Sequence, residues 1–278
     1  MPQLQRLNLI LEEQTKLGLQ DILASNIDRF FDCSDCHNLT SLSLDNTVLT
    51  SKVGKIFETH GGQLISLKIL CRCFGKAKET RDVLLACPNL RTFHCTINQS
   101  DTQVMSQILR HLEQAKLRKL KLELLDCYRD EVIVDSTHFE ALEKLCIFGS
   151  NLSLSIDSPG TILSAILLNL IVALKQVSIT RATVRRLSCP NLLGLVLDWS
   201  RIEGLDLNSF KNLTSVELNI NMPSSLNICL PHLQKLHLRH QASLGEVTIN
   251  CPALRNLLLT PTEITHLNLY GSSLEYLW

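Results

Sequence analysis

The sequence predicts an α/β solenoid: a stack of short parallel strands, with helices behind its first half and strands or turns behind its second. Three observations carry that expectation. The pattern apolar-x-x-apolar-x-apolar returns in phase from one end of the chain to the other. After a long first interval, successive copies lie 18 to 32 residues apart, the length of one strand and its return. An apolar residue, often followed by proline, stands three positions before the pattern in many copies.

The copies run in order from Leu4/Leu7/Leu9 through Leu39/Leu42/Leu44, Leu64/Leu67/Ile69 and Leu90/Phe93/Cys95. They continue as Leu117/Leu120/Leu122, Leu142/Leu145/Ile147, Leu174/Val177/Ile179 and Leu192/Leu195/Leu197. Leu213/Val216/Leu218, Leu233/Leu236/Leu238, Leu254/Leu257/Leu259 and a shortened Leu274/Leu277 complete them. Alternation along a strand sends the second and third apolar residues to one face, so stacked copies share a core and a continuous parallel sheet. This is the strand signature of a leucine-rich repeat, and it predicts a horseshoe with the sheet on its concave face.

Unit length sets what lies behind each strand. The early intervals of 25, 26, 27 and 25 residues leave room for a convex helix. "DTQVMSQILRHLEQA" (101–115) has the helical spacing, behind a Ser100-x-x-Gln103 capping box, and "GLQDILASNIDRFF" (18–31) behaves alike. "TILSAILLNLIVAL" (161–174) is the most apolar run; fourteen residues are too few to span a bilayer and predict a buried helix behind Ser158-Pro159. The later intervals of 21, 20, 21 and 20 are too short for helices and carry second alternating runs instead. Ile202/Leu205/Leu207, Leu244/Val247/Ile249 and Ile264/Leu267/Leu269 are expected to form outer strands. With no Pro/Gly-rich linker, the expectation is a single domain over 1–278, with longer helix-bearing units in 1–150 and shorter ones in 151–278.

The slot three residues before each first leucine holds Met1, Cys36, Cys87, Phe139, Ile171, Cys189, Phe210, Leu230 and Cys251. These side chains share hydrophobicity rather than reactivity, so the slot's cysteines are read as core fillers. Proline in the next position, as in Pro88, Pro190, Pro231 and Pro252, suits the start of a strand, where a donor can be spared. Met1 already occupies the slot and "SSLEYLW" stops inside the motif, which reads as an array continued or covered at its ends.

Composition bounds the chemistry. Lys+Arg and Asp+Glu are equal at 27 each, so no bulk field attracts nucleic acid or an anionic membrane. Eleven cysteines without a secretory leader point to free thiols in a cytoplasmic or nuclear setting. "CSDCH" (33–37) and "CRC" (71–73) resemble metal ligands, but Cys36 is in the core slot and Cys71-x-Cys73 lacks the two-residue spacer. No metal or cofactor is expected. No phosphate loop, H-E-x-x-H or G-x-S-x-G is present, and His94 and His237 sit on outward strand positions, which predicts a non-enzymatic chain. Asn-X-Ser/Thr triplets at Asn38, Asn98, Asn151 and Asn212 are the number a chain rich in these residues produces by chance.

Function is expected on the concave face. Its outward positions place Lys68, His94, Lys119, Lys121 and Lys144 as a basic stripe beside Leu70 and Phe148, a surface suited to an acidic protein segment anchored at Phe148. Tyr276 and Trp278 fall on the same face and are read as packing on a following unit. The units "LLACPNLRTFHC", "LSCPNLLGLVL" and "INCPALRNLLL" resemble the leucine-rich-repeat regions of F-box proteins, the substrate receptors of Skp1–cullin–F-box ubiquitin ligases. The chain departs from that family's cysteine-containing subclass in lacking the Cys-x-x-(Ile/Val)-Thr-Asp-x-Gly-Leu run. Glu12, Thr47, Ser150, Ser200 and Thr262 stand where an asparagine ladder is usual, and no F-box precedes Leu4. The resemblance implies substrate recognition, with Skp1 contacted through an F-box outside these residues. A stand-alone binding or inhibitor module and a secreted receptor-like ectodomain are the alternatives.

Overall fold

The computed structural model describes residues 5–10, 38–45, 57–70, 83–98, 116–125, 132–135, 141–150, 163–169, 174–187, 189–202, 206–220, 225–239, 244–260, 264–271 and 273–278. Their strands are, in chain order, β1 (Arg6–Ile10), β2 (Ser41–Asp45), β3 (Ser66–Leu70), β4 (Thr92–Asn98), β5 (Lys119–Leu125) and β6 (Val132–Asp135). There follow β7 (Lys144–Ser150), β8 (Leu163–Asn169), β9 (Gln176–Thr180), β10 (Ala182–Leu187), β11 (Gly194–Ile202) and β12 (Ser215–Ile220). The last are β13 (Ser225–Cys229), β14 (Lys235–Arg239), β15 (Leu244–Asn250), β16 (Asn256–Thr260), β17 (Ile264–Tyr270) and β18 (Tyr276–Leu277).

The chain is a parallel β-solenoid. Its main sheet runs β1-β2-β3-β4-β5-β7-β9-β11-β12-β14-β16-β18, one strand from each copy of the apolar pattern, in chain order. Register is the one the pattern demands: Leu67 lies opposite Phe93, Leu120 opposite Leu145, and Val216 opposite Leu236. Each carbonyl just before a strand accepts two successive N–H groups from the next rung. Arg91 O, for example, takes Arg118 N at 2.8 Å and Lys119 N at 3.0 Å, and Arg118 O takes Glu143 N and Lys144 N at 2.9 and 3.0 Å.

The core is the stack of leucines. From β2 to β16 the second apolar residue of each copy is no more than 2% exposed, because the rungs on both sides and the outer layer enclose it. Cys87, Cys189, Phe210, Leu230 and Cys251, all from the slot before the pattern, are buried with them. Burial pushes the Cys87 thiol up to about 12, so this sulfur is a packing group rather than a nucleophile.

The outer layer differs from the expectation in three places. The run at 161–174 was expected to be helical; within it, Leu163–Asn169 is β8, paired with β6 on one side and β10 on the other. A short apolar run carries no periodic signature to separate helix from strand, and pairing partners decide it. Second, β6, an outer strand, lies inside the segment expected to hold longer helix-bearing units. Third, Leu207 opens a 3-10 turn, Leu207–Ser209, where an outer strand was expected; Asp206 caps it by accepting from Asn208 N at 3.0 Å. The second outer sheet is β13-β15-β17, which matches the expected strands at 244–249 and 264–269 and adds Ser225–Cys229, with Ile228, Val247 and Ile249 turned into the core.

β11 belongs to both layers: Gly194–Asp198 lies in the main sheet, while Arg201 and Ile202 pair with β10. Trp199 makes the corner at φ +51°, and Arg181, one rung earlier, makes the matching corner at φ +54°. Two helical stretches, 57–60 and 83–86, bury Phe57, Val83 and Leu84 behind the early strands. The helices expected at 18–31 and 101–115 lie outside the described residues. No helix among the described residues is long and apolar enough to cross a membrane.

Candidate functional site

Side chains that alternate with the core leucines form the open face of the main sheet, and register arranges them in rows that cross the strands. One row runs Arg6, Ser41, Ser66, Thr92, Lys119, Lys144, Gln176, Gly194, Ser215, Lys235, Asn256 and Tyr276. The next carries Lys68, His94, Lys121, Cys146, Ser178, Val196, Glu217, His237 and Leu258. The sequence-derived site residues therefore fall together. Lys68, His94 and Lys121 are consecutive in one row; Lys119 and Lys144 are directly opposite each other in the neighbouring row.

The stripe is less uniformly basic than its lysines imply. Glu123, on the same strand as Lys121, lies at its centre. Its Oε1 is 2.8 Å from Lys121 Nζ and 2.9 Å from His94 Nε2, and its Oε2 accepts from Thr96 Oγ1 at 3.2 Å. Burial by itself would raise the Glu123 carboxyl, but hydrogen bonds from Lys121 and His94 and their charges hold it below its ordinary value. An ionised carboxylate only accepts, so the His94 Nε2 carries a proton and donates. Burial lowers the His94 imidazole, the bond to Glu123 opposes this, and the Lys121 and Lys68 charges push it further down. Lys121 Nζ also sits 4.8 Å from the centre of the Phe148 ring, a cation–π contact that fixes both side chains. Lys121 is thus engaged twice. Among the described residues no carboxylate pairs with Lys119 or Lys144, which leaves two exposed ammonium groups facing each other across adjacent strands.

A second polar centre lies further along the same face. Arg239 Nε donates to His237 Nε2 at 2.9 Å, so that nitrogen is unprotonated and Nδ1 carries the hydrogen toward Glu217 Oε1, 3.4 Å away. Burial, then the Arg239 charge, lowers the His237 imidazole against the opposing pull of Glu217. Beside it a groove of about 380 Å³ opens between Lys235, His237, Asn256, Leu258, Tyr276 and Trp278. Tyr276 and Trp278, 57% and 78% exposed, form its wall. Sequence reading placed both aromatics on the face but could not see the groove, which is lined from four successive rungs, β12, β14, β16 and β18.

The asparagines of the "PNL"-type turns have a structural use that sequence reading missed. Asn89 Nδ2 donates to Gly62 O at 2.7 Å and Asn212 Nδ2 to Pro190 O at 3.2 Å, each tying its turn to the previous rung. Their signal was their fixed place just before the first leucine. Of the other glycosylation triplets, Asn38 holds that same place and Asn98 ends β4, whereas Asn151 lies outside the described residues. The described residues contain no group of three or more potential metal ligands. Cys33, Cys36, Cys71 and Cys73 lie outside them. A scan against protein-family models and a search of the curated proteins each find no match to this chain.

Proposed function

We propose that this chain is a leucine-rich-repeat scaffold that binds another protein on the open face of its main sheet, without catalysis, and serves as the substrate-recognising part of a Skp1–cullin–F-box-type ubiquitin ligase. Lys119 and Lys144 carry the binding reading: two exposed cations directly opposite each other, with no described carboxylate between them, beside the anchored Phe148 ring. Like charges across a strand pair cost energy that an acidic partner would relieve. Support for the repeat class comes from the ladder position. Ser200 stands where asparagine is usual, is 4% exposed, and directs its hydroxyl to Ile179 O of the previous rung at 3.2 Å. The ligase assignment rests on the resemblance of the repeat units alone.

The test is affinity purification of the tagged native protein, as wild type and as Lys119→Glu/Lys144→Glu. The expected result is Skp1 and cullin recovered with both forms and a substrate protein recovered only with wild type. Recovery of a partner without Skp1 would favour a stand-alone binding or inhibitor module. Glycan on Asn98 or Asn151 would favour an ectodomain. A partner retained undiminished by the double variant would remove the basic face from the account.

A further inference from the structure

Uncompensated positive charge collects along one edge of the main sheet, where β4, β5, β7 and β9 begin. The residues just before these strands form a row, Arg91, Arg118, Glu143 and Lys175, joined rung to rung by main-chain hydrogen bonds of 2.8 to 2.9 Å. The first residues of the same strands, Thr92, Lys119, Lys144 and Gln176, form the row beside it. Lys116, just before the first leucine of its rung, adds to the edge. Arg91, Lys116, Lys119, Lys144 and Lys175 are exposed, and none of them meets a carboxylate among the described residues. Glu143 is the one acid in the two rows, and Arg118 lies 4.0 Å from it. A groove of about 400 Å³ ends the edge, between Ile65, Pro88, Asn89, Arg91 and Lys116. Ile65 is 42% exposed, and Asn89 is held by its 2.7 Å bond to Gly62 O, so an apolar wall stands ready beside two uncompensated cations.

Like charges on neighbouring rungs, about 4.8 Å apart, repel one another and are relieved by anions laid across them. We propose that this edge holds an acidic segment of the partner protein, extended across the rungs from the groove to Lys175. Its carboxylates meet Arg91, Lys116, Lys119 and Lys144, and an apolar side chain packs against Ile65 and Pro88. The inference rests on the docking reading of Lys119 and Lys144 given above and carries that footprint from the open face over the strand-entry edge. Geometry sets the length of the segment. Four rung spacings from Ile65 to Lys175 make about 19 Å, the span of about six extended residues, so a short acidic run covers the row. Nucleic acid fits the edge less well. The described lining of the groove holds no aromatic ring on which a base could stack. A sugar–phosphate chain repeats its charge at every step and would meet Glu143, whereas a peptide can set a neutral residue there.

The purified full chain is titrated with the capped, fluorescein-labelled peptide Leu-Glu-Glu-Glu-Glu-Glu-Leu, and binding is followed by anisotropy. Counterparts replace glutamate by glutamine or leucine by alanine, and a labelled oligothymidylate of equal charge is the nucleic-acid probe. The expected result is saturable binding that falls as salt rises. It weakens about tenfold or more with the glutamine counterpart and about threefold or more with the alanine one. Arg91→Glu/Lys116→Glu and Lys119→Glu/Lys144→Glu each weaken it about tenfold or more, while Arg91→Lys/Lys116→Arg retains it. Lys211→Glu/Lys235→Glu makes the same change of net charge at exposed lysines further along the stack and leaves binding unchanged. Every substituted residue is exposed, and circular dichroism verifies that the variants fold. If only the Lys119→Glu/Lys144→Glu variant loses binding, the inference is overturned and the docking reading stands. If neither that variant nor Arg91→Glu/Lys116→Glu loses binding, both are overturned. Absence of binding by the wild-type chain overturns the inference, and recovery of the native partner still tests the docking reading. The inference also falls if the distant pair weakens binding equally, if either counterpart binds as well as the parent peptide, or if oligothymidylate binds more tightly.

Discussion

Glu123 decides how the basic part of the open face behaves. A lysine row is legible in the sequence because alternation assigns Lys68, Lys119, Lys121 and Lys144 to the outward side. Lys121 meets Glu123 two positions along its own strand, but the other partners come from neighbouring rungs, which no local pattern records: Lys121 lies against Phe148, and the His94–Glu123 bond joins residues 29 apart. Burial of His94, together with the hydrogen bonds to Glu123, makes a pH prediction. The folded chain holds the His94 imidazole and the Glu123 carboxyl below their ordinary values, so at both groups it binds fewer protons than the unfolded chain. Stability is therefore fully present above the ordinary imidazole value of 6.5 and falls as pH drops through it. A further loss follows below the ordinary carboxylate value of 4.5 as Glu123 takes up a proton. His237 contributes with the same sign. The urea midpoint of the wild-type chain is expected to decrease from about pH 7.5 to about pH 5.5, and His94→Gln to make that decrease shallower. An equal slope in the variant would mean that His94 is not coupled to folding.

At the scale of elements, the strands of the main sheet could be read from the sequence because each carries the full apolar pattern. The outer layer could not be read as well. β8 has too short an apolar run to show its period, and its strand state comes from β6 and β10 on either side. Arg181 and Trp199 turn corners in the left-handed region with no glycine or asparagine to announce them. The 3-10 turn Gly61–Gln63 contains a sharper case of local structure set by packing. A Cβ added at Gly61 would meet the Ala86 carbonyl oxygen and the Cys87 sulfur, whereas one at Gly62 would meet nothing within 4 Å. Gly61→Ala is expected to destabilise the chain by about 1–3 kcal/mol, and Gly62→Ala to leave stability within about 0.5 kcal/mol of wild type. Chemical denaturation measures both; equal effects would show that the turn does not rest on the following unit.

The whole molecule is governed by its stacking order. Each rung covers the apolar edge of the one before it, and the two layers close over a core made almost wholly of leucine, isoleucine, valine and slot cysteines. The strand contacts among the described residues run chiefly between neighbouring rungs, and the open face is a consequence of the same register that hides the leucines. The candidate site was legible to the extent that it follows from register: its residues fall in adjacent rows. The groove beside Tyr276 was not, because its volume arises between rungs and belongs to no single unit. Methyl–methyl nuclear Overhauser spectroscopy on the isoleucine-, leucine- and valine-labelled chain tests the stacking most directly. The third apolar residues should connect in a single file, Leu122 to Ile147, Ile147 to Ile179, Ile179 to Leu197, Leu197 to Leu218 and Leu218 to Leu238. Strong cross-peaks that skip across the file, such as Leu122 to Leu238, with the neighbouring ones missing, would contradict the solenoid and every surface derived from it.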